Sequence, residues 1–417
     1  MSMDDRLKRA LIAVLFLVAV AGIGFVLYLV FFKKLLSPPA TPSTPPVTTG
    51  GGTGTLPGAG SGVIIPSTPG TAPGTLPTAG TPGTGAAPSP SEVVPQTALL
   101  NDGVTQYVSA STDGRGARYY NPTDGLFYRI GPDGVAIAMS DTTFPNVEGV
   151  SWGKASDQAI LSFPDGSNVH FDFRTNTQST LPAHWEDFDF SGDDRQLVAK
   201  SLALSPGSRY LVVSNPDGSN PKAIEPLGNN AGKTFPVWTP NNQIIAYAEV
   251  GEARGFDRQE IILVGQNQEN FRALQVEGRG FLPKWSPDGR TVLYSVWNAA
   301  GSYRPELWVS GGDPDGVNRD RAKLDLFTWA DKCVWADNVT LYCAVPDSLP
   351  TGAGLQPDLF RTLPDTLYKI DLRTGAKSTL GKPAGGRAAR NLVITDDKRH
   401  ILFTDAQTGQ LYDFRIP

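Results

Sequence analysis

A short turn motif that recurs along the chain limits the folds that this sequence can adopt. Its fullest form is Trp285-Ser-Pro-Asp-Gly-Arg290, a tight turn between two runs of β-forming residues. The same frame begins at seven positions, 38 to 59 residues apart: 110, 152, 190, 238, 285, 335 and 394. Four short strands with their turns need about 40–45 residues, the period of a propeller blade. The sequence therefore predicts an all-β protein with a seven-bladed β-propeller, and six or eight blades are the alternatives.

Each repeat is read as four strands, A to D, with the recurring turn between A and B. The last repeat supplies only three strands before the sequence stops: Asn391–Thr395, His400–Asp405 and Gln410–Ile416. The apolar stretch Val93–Leu100 precedes the first repeat and is the natural donor of the missing strand. We expect it to close the ring, because a closed ring leaves few unpaired strand edges.

Two turn segments carry a family resemblance. Trp285-Ser-Pro-Asp-Gly-Arg290 and Asn215-Pro-Asp-Gly-Ser-Asn-Pro-Lys222 resemble the TolB-like branch of the WD-like propeller repeats, over about residues 104–417. Only the unit at Trp285 matches throughout, since the Pro or Gly of the turn is replaced in other units. The resemblance implies a propeller, often used to bind proteins, and it implies no particular chemistry because fold does not determine function.

The first 92 residues differ in composition from the repeats. Ala10–Phe32 is a run of 23 uncharged, mostly apolar residues, about 34 Å long as a helix, and it matches a bilayer core of roughly 30 Å. The alternative, a cleaved signal peptide, would have an apolar run of only about 7–15 residues. Ser37–Ser91 is uncharged and dominated by Pro, Gly, Ser, Thr and Ala, which predicts disorder. We therefore expect a tail at 1–9, a membrane helix at 10–32, a stalk at 33–92 and the propeller at 93–417.

The cysteines and the short N-terminal tail favour a propeller outside the cell membrane and a cytoplasmic N-terminus. Cys333 and Cys343 lie symmetrically about residue 338, in the middle of an A–B turn. A hairpin would set them opposite each other, so we predict a disulfide that persists in an oxidising exterior. Residues 96–417 hold 31 basic and 38 acidic residues, without a basic stripe. This balance argues against nucleic acid as a partner.

The sequence contains none of the common catalytic motifs. The three histidines, His170, His184 and His400, fall on three different blades, and no G-x-S-x-G, H-E-x-x-H or P-loop pattern is present. The acidic segment Asp313–Asp320 matches a calcium loop only in part, because Val317 interrupts the pattern and the closing glutamate is missing. The sequence predicts no catalytic residues, no metal and no cofactor, and therefore no enzyme.

One feature favours a binding surface. The connection between strands B and C is enlarged in three consecutive units: Gly251–Arg258, Asn298–Pro305 and Pro346–Pro364. Such connections project from one face of the ring, and these are rich in Arg and aromatic side chains, the types that dominate interfaces. The candidate binding residues are Arg254, Phe256, Arg258, Trp297, Tyr303, Arg304, Phe360 and Arg361.

We therefore predict a membrane-anchored module that binds a protein or a glycan at the cell envelope. Surface loops also tolerate insertion freely, so the enlarged connections do not by themselves require a binding role. Two alternatives stay open. One is a structural spacer within an envelope assembly, and the other is a glycan hydrolase or lyase with its site in the propeller funnel.

Overall fold

Seven antiparallel sheets of four strands each make up the part of the chain that the structure describes. This structure is a computed structural model, and it describes residues 96–255 and 257–417 together with Gly22. Each sheet is one blade, and the A strands of blades 1, 5, 6 and 7 line a common cavity, as expected for the innermost strands of a ring. The prediction of an all-β protein with seven blades is confirmed.

The strands follow the repeats in chain order, and β1 (Thr97–Asn101) precedes blade 1. Blades 1 to 3 contain β2 (Gln106–Ala110), β3 (Ala117–Asn121), β4 (Leu126–Ile130), β5 (Ala136–Ala138), β6 (Gly149–Trp152), β7 (Gln158–Ser162), β8 (Asn168–Asp172), β9 (Thr177–Leu181), β10 (Trp185–Phe190), β11 (Leu197–Ser201), β12 (Tyr210–Ser214) and β13 (Lys222–Pro226). Blades 4 and 5 contain β14 (Thr234–Pro236), β15 (Ala246–Ala248), β16 (Gln259–Val264), β17 (Leu274–Val276), β18 (Arg279–Trp285), β19 (Thr291–Trp297), β20 (Glu306–Gly311) and β21 (Ala322–Lys323). Blades 6 and 7 contain β22 (Cys333–Trp335), β23 (Thr340–Pro346), β24 (Asp365–Asp371), β25 (Ala376–Gly381), β26 (Ala389–Ile394), β27 (His400–Asp405) and β28 (Leu411–Arg415).

Helical segments in the described residues are single turns or little more. They are Pro206–Ser208, Gly228–Lys233, Ala330–Lys332, Ala353–Leu355 and Pro357–Phe360. None of the described helices has the length and apolar character needed to cross a membrane. The predicted tail at 1–9, membrane helix at Ala10–Phe32 and stalk at 33–92 lie outside the described residues, apart from Gly22.

The ring closes as the sequence predicted. β1 pairs antiparallel with β28, with Thr97 opposite Phe414 and Leu99 opposite Tyr412, and it becomes the outer strand of blade 7. The donor strand starts a few residues later than the stretch Val93–Leu100 that the sequence indicated. One blade is thus assembled from both ends of the described chain.

Hydroxyl side chains explain why the turn motif recurs. In blade 5, Ser286 Oγ donates to Asp288 (2.6 Å) and accepts the N–H of Thr291 (3.0 Å), which fixes both sides of the turn. Asp288 also accepts the N–H of Arg290 (3.1 Å). Side chains of this kind stabilise turns by bonding nearby backbone. The equivalent pairs are Ser111–Asp113, Ser191–Asp193, Thr239–Asn241 and Thr395–Asp397.

The innermost strand carries a bulge in alternate blades, which the sequence reading did not anticipate. Register shifts in β2, β10, β18 and β26 each accompany one residue with positive φ: Tyr107, Asp187, Gly280 and Asn391. Only Gly280 lacks a Cβ, and a Cβ there would lie 2.6 Å from Trp297 Nε1. Bulges bend a strand and increase its local twist. They therefore shape the inner wall of the ring.

The predicted cysteine pair is present as a disulfide. Cys333 on β22 and Cys343 on β23 are directly opposite in the strand register and are bonded. Both residues are fully buried, between blades 5 and 6, in an apolar cluster that includes Leu293, Leu307 and Trp335.

Removal of β1 should open the ring. A chain that begins at Gly103 leaves the edge of β28 unpaired, and we expect a loss of roughly 3–5 kcal/mol in the free energy of unfolding, at about 1 kcal/mol for each backbone hydrogen bond. Urea unfolding checks this, with a chain that begins at Gln96 as the control. Equal stability of the two chains would contradict the closure.

Replacing Cys333 and Cys343 together by Ala should lower the free energy of unfolding by about 2–3 kcal/mol. The disulfide closes a loop with a sequence separation of 10 and constrains the unfolded chain. Unfolding of the variant and of the parent protein, both with and without reductant, gives the measurement. Reductant should weaken the parent and leave the variant unchanged.

Candidate binding face

The connections between strands B and C lie at one end of every blade, together with the D-to-A crossovers, because successive strands are antiparallel. They are short in blades 1, 2 and 7 and longer in four consecutive blades: 202–209, 249–258, 298–305 and 347–364. We call these four segments the B–C platform. The sequence identified the last three and missed 202–209, although its Ser-Pro-Gly-Ser turn signal was visible.

The platform segments of blades 5 and 6 form one ordered ridge. Gly352 N–H donates to the carbonyl of Ser302 (2.9 Å), and Gly354 N–H donates to the carbonyl of Tyr303 (2.7 Å). A Cβ on Gly354 would lie 2.6 Å from the Cβ of Trp297, so this close approach requires glycine. The longest connection is therefore held in place by its neighbour.

Backbone strain accompanies this packing. Ser302 and Tyr303 both have positive φ, at 57° and 55°, which is uncommon for residues other than glycine. The N–H of Tyr303 bonds the carbonyl of Asn298 (2.8 Å), and its ring lies 6.1 Å from that of Trp297. Conformations of this kind persist where the surroundings hold them, often at functional sites.

A cavity of about 200 Å³ lies beneath the platform segment of blade 6. Its lining includes Trp297, Pro305, Trp329, Pro357 and Arg361. The guanidinium of Arg361 lies over the Trp329 ring at 5.5 Å and pairs with Asp331 at 3.3 Å. The cavity is therefore apolar, with one cationic group that the protein already neutralises.

The predicted binding residues do not form a single cluster. Trp297 and Arg361 line the cavity, and the ring of Tyr303 lies beside that of Trp297. Arg304 instead stacks on Phe327 at 3.8 Å. Phe360 is half-buried at the end of its one-turn helix.

The two blade 4 arginines are engaged in exposed ion pairs. Arg254 lies 2.8 Å from Glu260, and Arg258 lies 2.7 Å from Glu277. Exposed pairs of this kind contribute little to stability. Phe256, predicted together with them, lies outside the described residues.

The platform exposes apolar side chains that the sequence reading did not single out. Leu204 is fully exposed, and Leu359, Leu355 and Val250 are 64%, 51% and 41% exposed. These are four of the eight large apolar residues exposed in the described part of the chain. The other four lie on or beside the outer strands of blades 7 and 1: Leu99, Val104, Val135 and Ile137.

A buried ion pair lies where the platform segment of blade 6 rejoins its strand. Lys332 Nζ and Asp365 Oδ2 are 2.7 Å apart, with side chains that are 3% and 0% exposed. Asp365 also accepts the N–H of Ala389 (2.7 Å), on blade 7. Burial raises the pKa of Asp365 to about 6 although Lys332 opposes the shift, and burial lowers the pKa of Lys332 although Asp365 opposes it. The pair therefore links two blades at an electrostatic cost.

The central channel is lined by the A strands, and two hollows along them measure about 760 and 620 Å³. Lys284 lies on its wall and donates to the carbonyl of Cys333. Desolvation lowers the pKa of Lys284 to about 8, while Asp331 acts in the opposite direction. Within residues 96–255 and 257–417, no group of three or more His, Cys, Asp or Glu side chains is arranged to hold a metal ion.

The histidines and the partial calcium-loop segment make ordinary structural contacts. His170 bonds the side chain of Gln158 (2.6 Å), and burial lowers the pKa of this histidine. His400 lies 2.9 Å from Asp413. In the segment that partly matched a calcium loop, Asp313 Oδ1 accepts the N–H of Gly316 (2.6 Å), as in an ordinary turn.

The described chain is thus a seven-bladed β-propeller with one elaborated face, and solved structures share the fold. An oligogalacturonate lyase from Vibrio parahaemolyticus is 13% identical, with a TM-score of 0.55, and the match covers 77% of this chain and 93% of the lyase. An oligogalacturonate lyase in complex with manganese is 15% identical, with a TM-score of 0.52 and the same coverage. No protein-family model and no curated protein matches the sequence. At these identities the likeness shows the fold alone.

Lys332 and Asp365 should behave as a coupled pair when they are replaced. Lys332→Met and Asp365→Asn should each lower the free energy of unfolding by about 3–5 kcal/mol, because each leaves its partner buried without a counter-charge. The double variant should lose much less than the sum of the two. A double-mutant cycle measured by urea unfolding tests this, and additive losses would contradict the coupling.

Proposed function

We propose that this protein is a membrane-anchored module that binds a protein partner through the B–C platform. The observation that carries the proposal is the exposure of Leu204, Leu355 and Leu359 on that face. Monomeric proteins seldom expose large contiguous apolar patches, and such patches mark interaction sites. Leu355 and Leu359 belong to the ordered ridge of blades 5 and 6, so little ordering entropy would oppose binding there.

The chemistry of the platform favours a protein over a glycan. Its exposed apolar side chains are branched and aliphatic, whereas Trp297 and Trp329 line the small cavity. Most of the platform arginines already contact carboxylates or aromatic rings, as Arg254 contacts Glu260. A complementary apolar protein surface, with an anchor residue for the cavity, fits this arrangement.

The proposal includes a membrane anchor at the N-terminus and a propeller outside the cell membrane. The apolar run Ala10–Phe32 has the length of a membrane span, and the stalk Ser37–Ser91 has the composition of a flexible spacer. The buried disulfide between Cys333 and Cys343 fits an oxidising exterior. The TolB-like assignment stays a prediction that rests on the turn segments at 215–222 and 285–290.

Two other functions make different predictions. If the protein is a structural spacer, no single protein should bind the platform in preference to others. A glycan hydrolase or lyase would act in the channel, and its activity would not change when the platform leucines are replaced.

Photo-cross-linking in intact cells is the direct test. A photoreactive residue at position 359 should capture one dominant protein, whereas the same residue at Arg195 should not. Arg195 is a suitable control because its side chain is 85% exposed and it follows the A–B turn of blade 3, on the opposite face. Capture of one glycan at 359 would support the glycan alternative, and equal yields at both positions would contradict a platform site.

Loss of the leucines should weaken the interaction. We expect the double variant Leu355→Ser/Leu359→Ser to bind its partner about thirtyfold more weakly, since exposed apolar anchors of this size contribute about 1 kcal/mol each to binding. The control is Ile137→Ser, which changes an apolar residue as exposed as Leu359 on the outer strand of blade 1. Quantitative pull-down from cells gives the measurement, and unchanged recovery with the double variant would refute the role of these residues.

A further inference from the structure

We propose that a cleft on the outer side of blades 3 and 4 binds the side chain of an arginine or lysine presented by a peptide. The cleft has a volume of about 340 Å³, within the range of sites that hold small groups. The cleft borders the platform, since Val250 belongs to both. The proposal does not depend on the proposed function, because the cleft would recognise its ligand through carboxylates and not through the platform leucines.

The cleft lies beside the half of β16 that has no paired outer strand. β16 runs from Gln259 to Val264, but its pairing with β17 covers only Gln259 to Ile261. Beyond Ile261, β16 has only one isolated bridge on that side, between Val264 and Asn270. The second half of the strand therefore faces a gap that the outer strand fills in a complete blade.

Apolar groups form the walls of this gap. Leu227 comes from the end of blade 3, and Ala248, Ile262 and Val264 come from blade 4. Leu227 and Ala248 are buried, whereas Ile262 and Val264 are half-buried. Such walls suit the methylene stem of a long side chain.

Two carboxylates line the same cleft. Glu225 is exposed on β13, and Glu269 lies in the connection that follows β16. The oxygens of Glu269 accept bonds from the backbone N–H (2.7 Å) and the side-chain amide (2.9 Å) of Asn267. Glu269 is exposed, and its slight desolvation acts to raise its pKa, but these hydrogen bonds outweigh it and hold the pKa below its usual value. Glu269 is therefore charged at neutral pH.

The charge of the cleft is not balanced by the protein. In the described part of the chain, neither Glu225 nor Glu269 forms an ion pair with Lys or Arg, whereas Glu252, Glu260 and Glu277 nearby each have an arginine. Two charges of the same sign beside apolar walls are complementary to a cation with an apolar stem. The cavity under the platform differs in charge, because the charged group that lines it is the cationic side chain of Arg361.

A titration with two matched peptides tests the proposal. The full chain is placed in nanodiscs of neutral phosphatidylcholine, so that a basic peptide does not bind lipid. The probes are fluorescein-labelled Gly-Leu-Arg-Leu-amide and the same peptide with citrulline, a neutral isostere of arginine. Anisotropy should show at least about tenfold tighter binding of the arginine peptide, equivalent to about 1.4 kcal/mol.

Variants locate the site. Glu225→Gln/Glu269→Gln should reduce the affinity for the arginine peptide to that for the citrulline peptide, without changing the latter. Glu148→Gln/Glu186→Gln, two exposed carboxylates elsewhere on the propeller, should leave both affinities unchanged. The methyl signal of Ile262 should shift only when a peptide binds in the cleft, which gives a readout in the unaltered protein.

Three results would overturn the proposal. They are equal affinity for the two peptides, full affinity for the arginine peptide in the Glu225→Gln/Glu269→Gln protein, and the absence of binding by either peptide. Unfolding midpoints of the variants confirm that the substitutions leave the fold intact. These outcomes are independent of partner capture on the platform, so either proposal can fail without the other.

Discussion

The pairing of β1 with β28 is the interaction on which the ring depends. Each blade buries its two faces against its neighbours, so an open row of blades would expose an apolar face at each end. Thr97 and Phe414 stand opposite each other across almost the whole described chain, and their strands complete the seventh sheet. Leu100, on β1, packs against the apolar cluster that joins blades 7 and 1, which includes Tyr119 and Leu402.

The loops on the two faces of the ring differ in how strongly the structure constrains them. On the A–B face, neighbouring turns are bonded to one another: Asp194 accepts the N–H groups of Lys154 and Ser156, and Lys398 pairs with Asp337 at 2.7 Å. These turns are also fixed internally by their hydroxyl–carboxylate pairs, so their sequence is constrained. The B–C connections join strands that are already paired, and they can lengthen without disturbing the ring. That freedom explains why the platform, rather than the opposite face, is elaborated.

Charge and apolar surface are distributed differently over the two candidate sites. On the platform the arginines are mostly satisfied, by carboxylates or by aromatic rings such as Phe327, and exposed leucines remain for a partner. In the cleft of blades 3 and 4 the relation is reversed, because Glu225 and Glu269 are unpaired among the described residues beside apolar walls. Below the platform, Lys332 and Asp365 form a buried ion pair, and burying these charges costs free energy. The same carboxylate of Asp365 also connects blade 6 to blade 7 by a hydrogen bond.

Features that depend on interactions between residues close together in the chain could be predicted from the sequence alone. The turn between Ser286 and Thr291 depends on residues within five positions of one another, so its recurrence predicted the blades, the ring closure and the opposition of Cys333 and Cys343. Exposure depends on neighbours that are distant in the chain, and the sequence therefore predicted the enlarged connections but not their surfaces. Arg254 was expected to face a partner and lies against Glu260, while Leu359 was not singled out and is exposed. The cleft beside β16 also follows from tertiary structure, because residues of blade 3, such as Leu227, and of blade 4, such as Ile262, line it together.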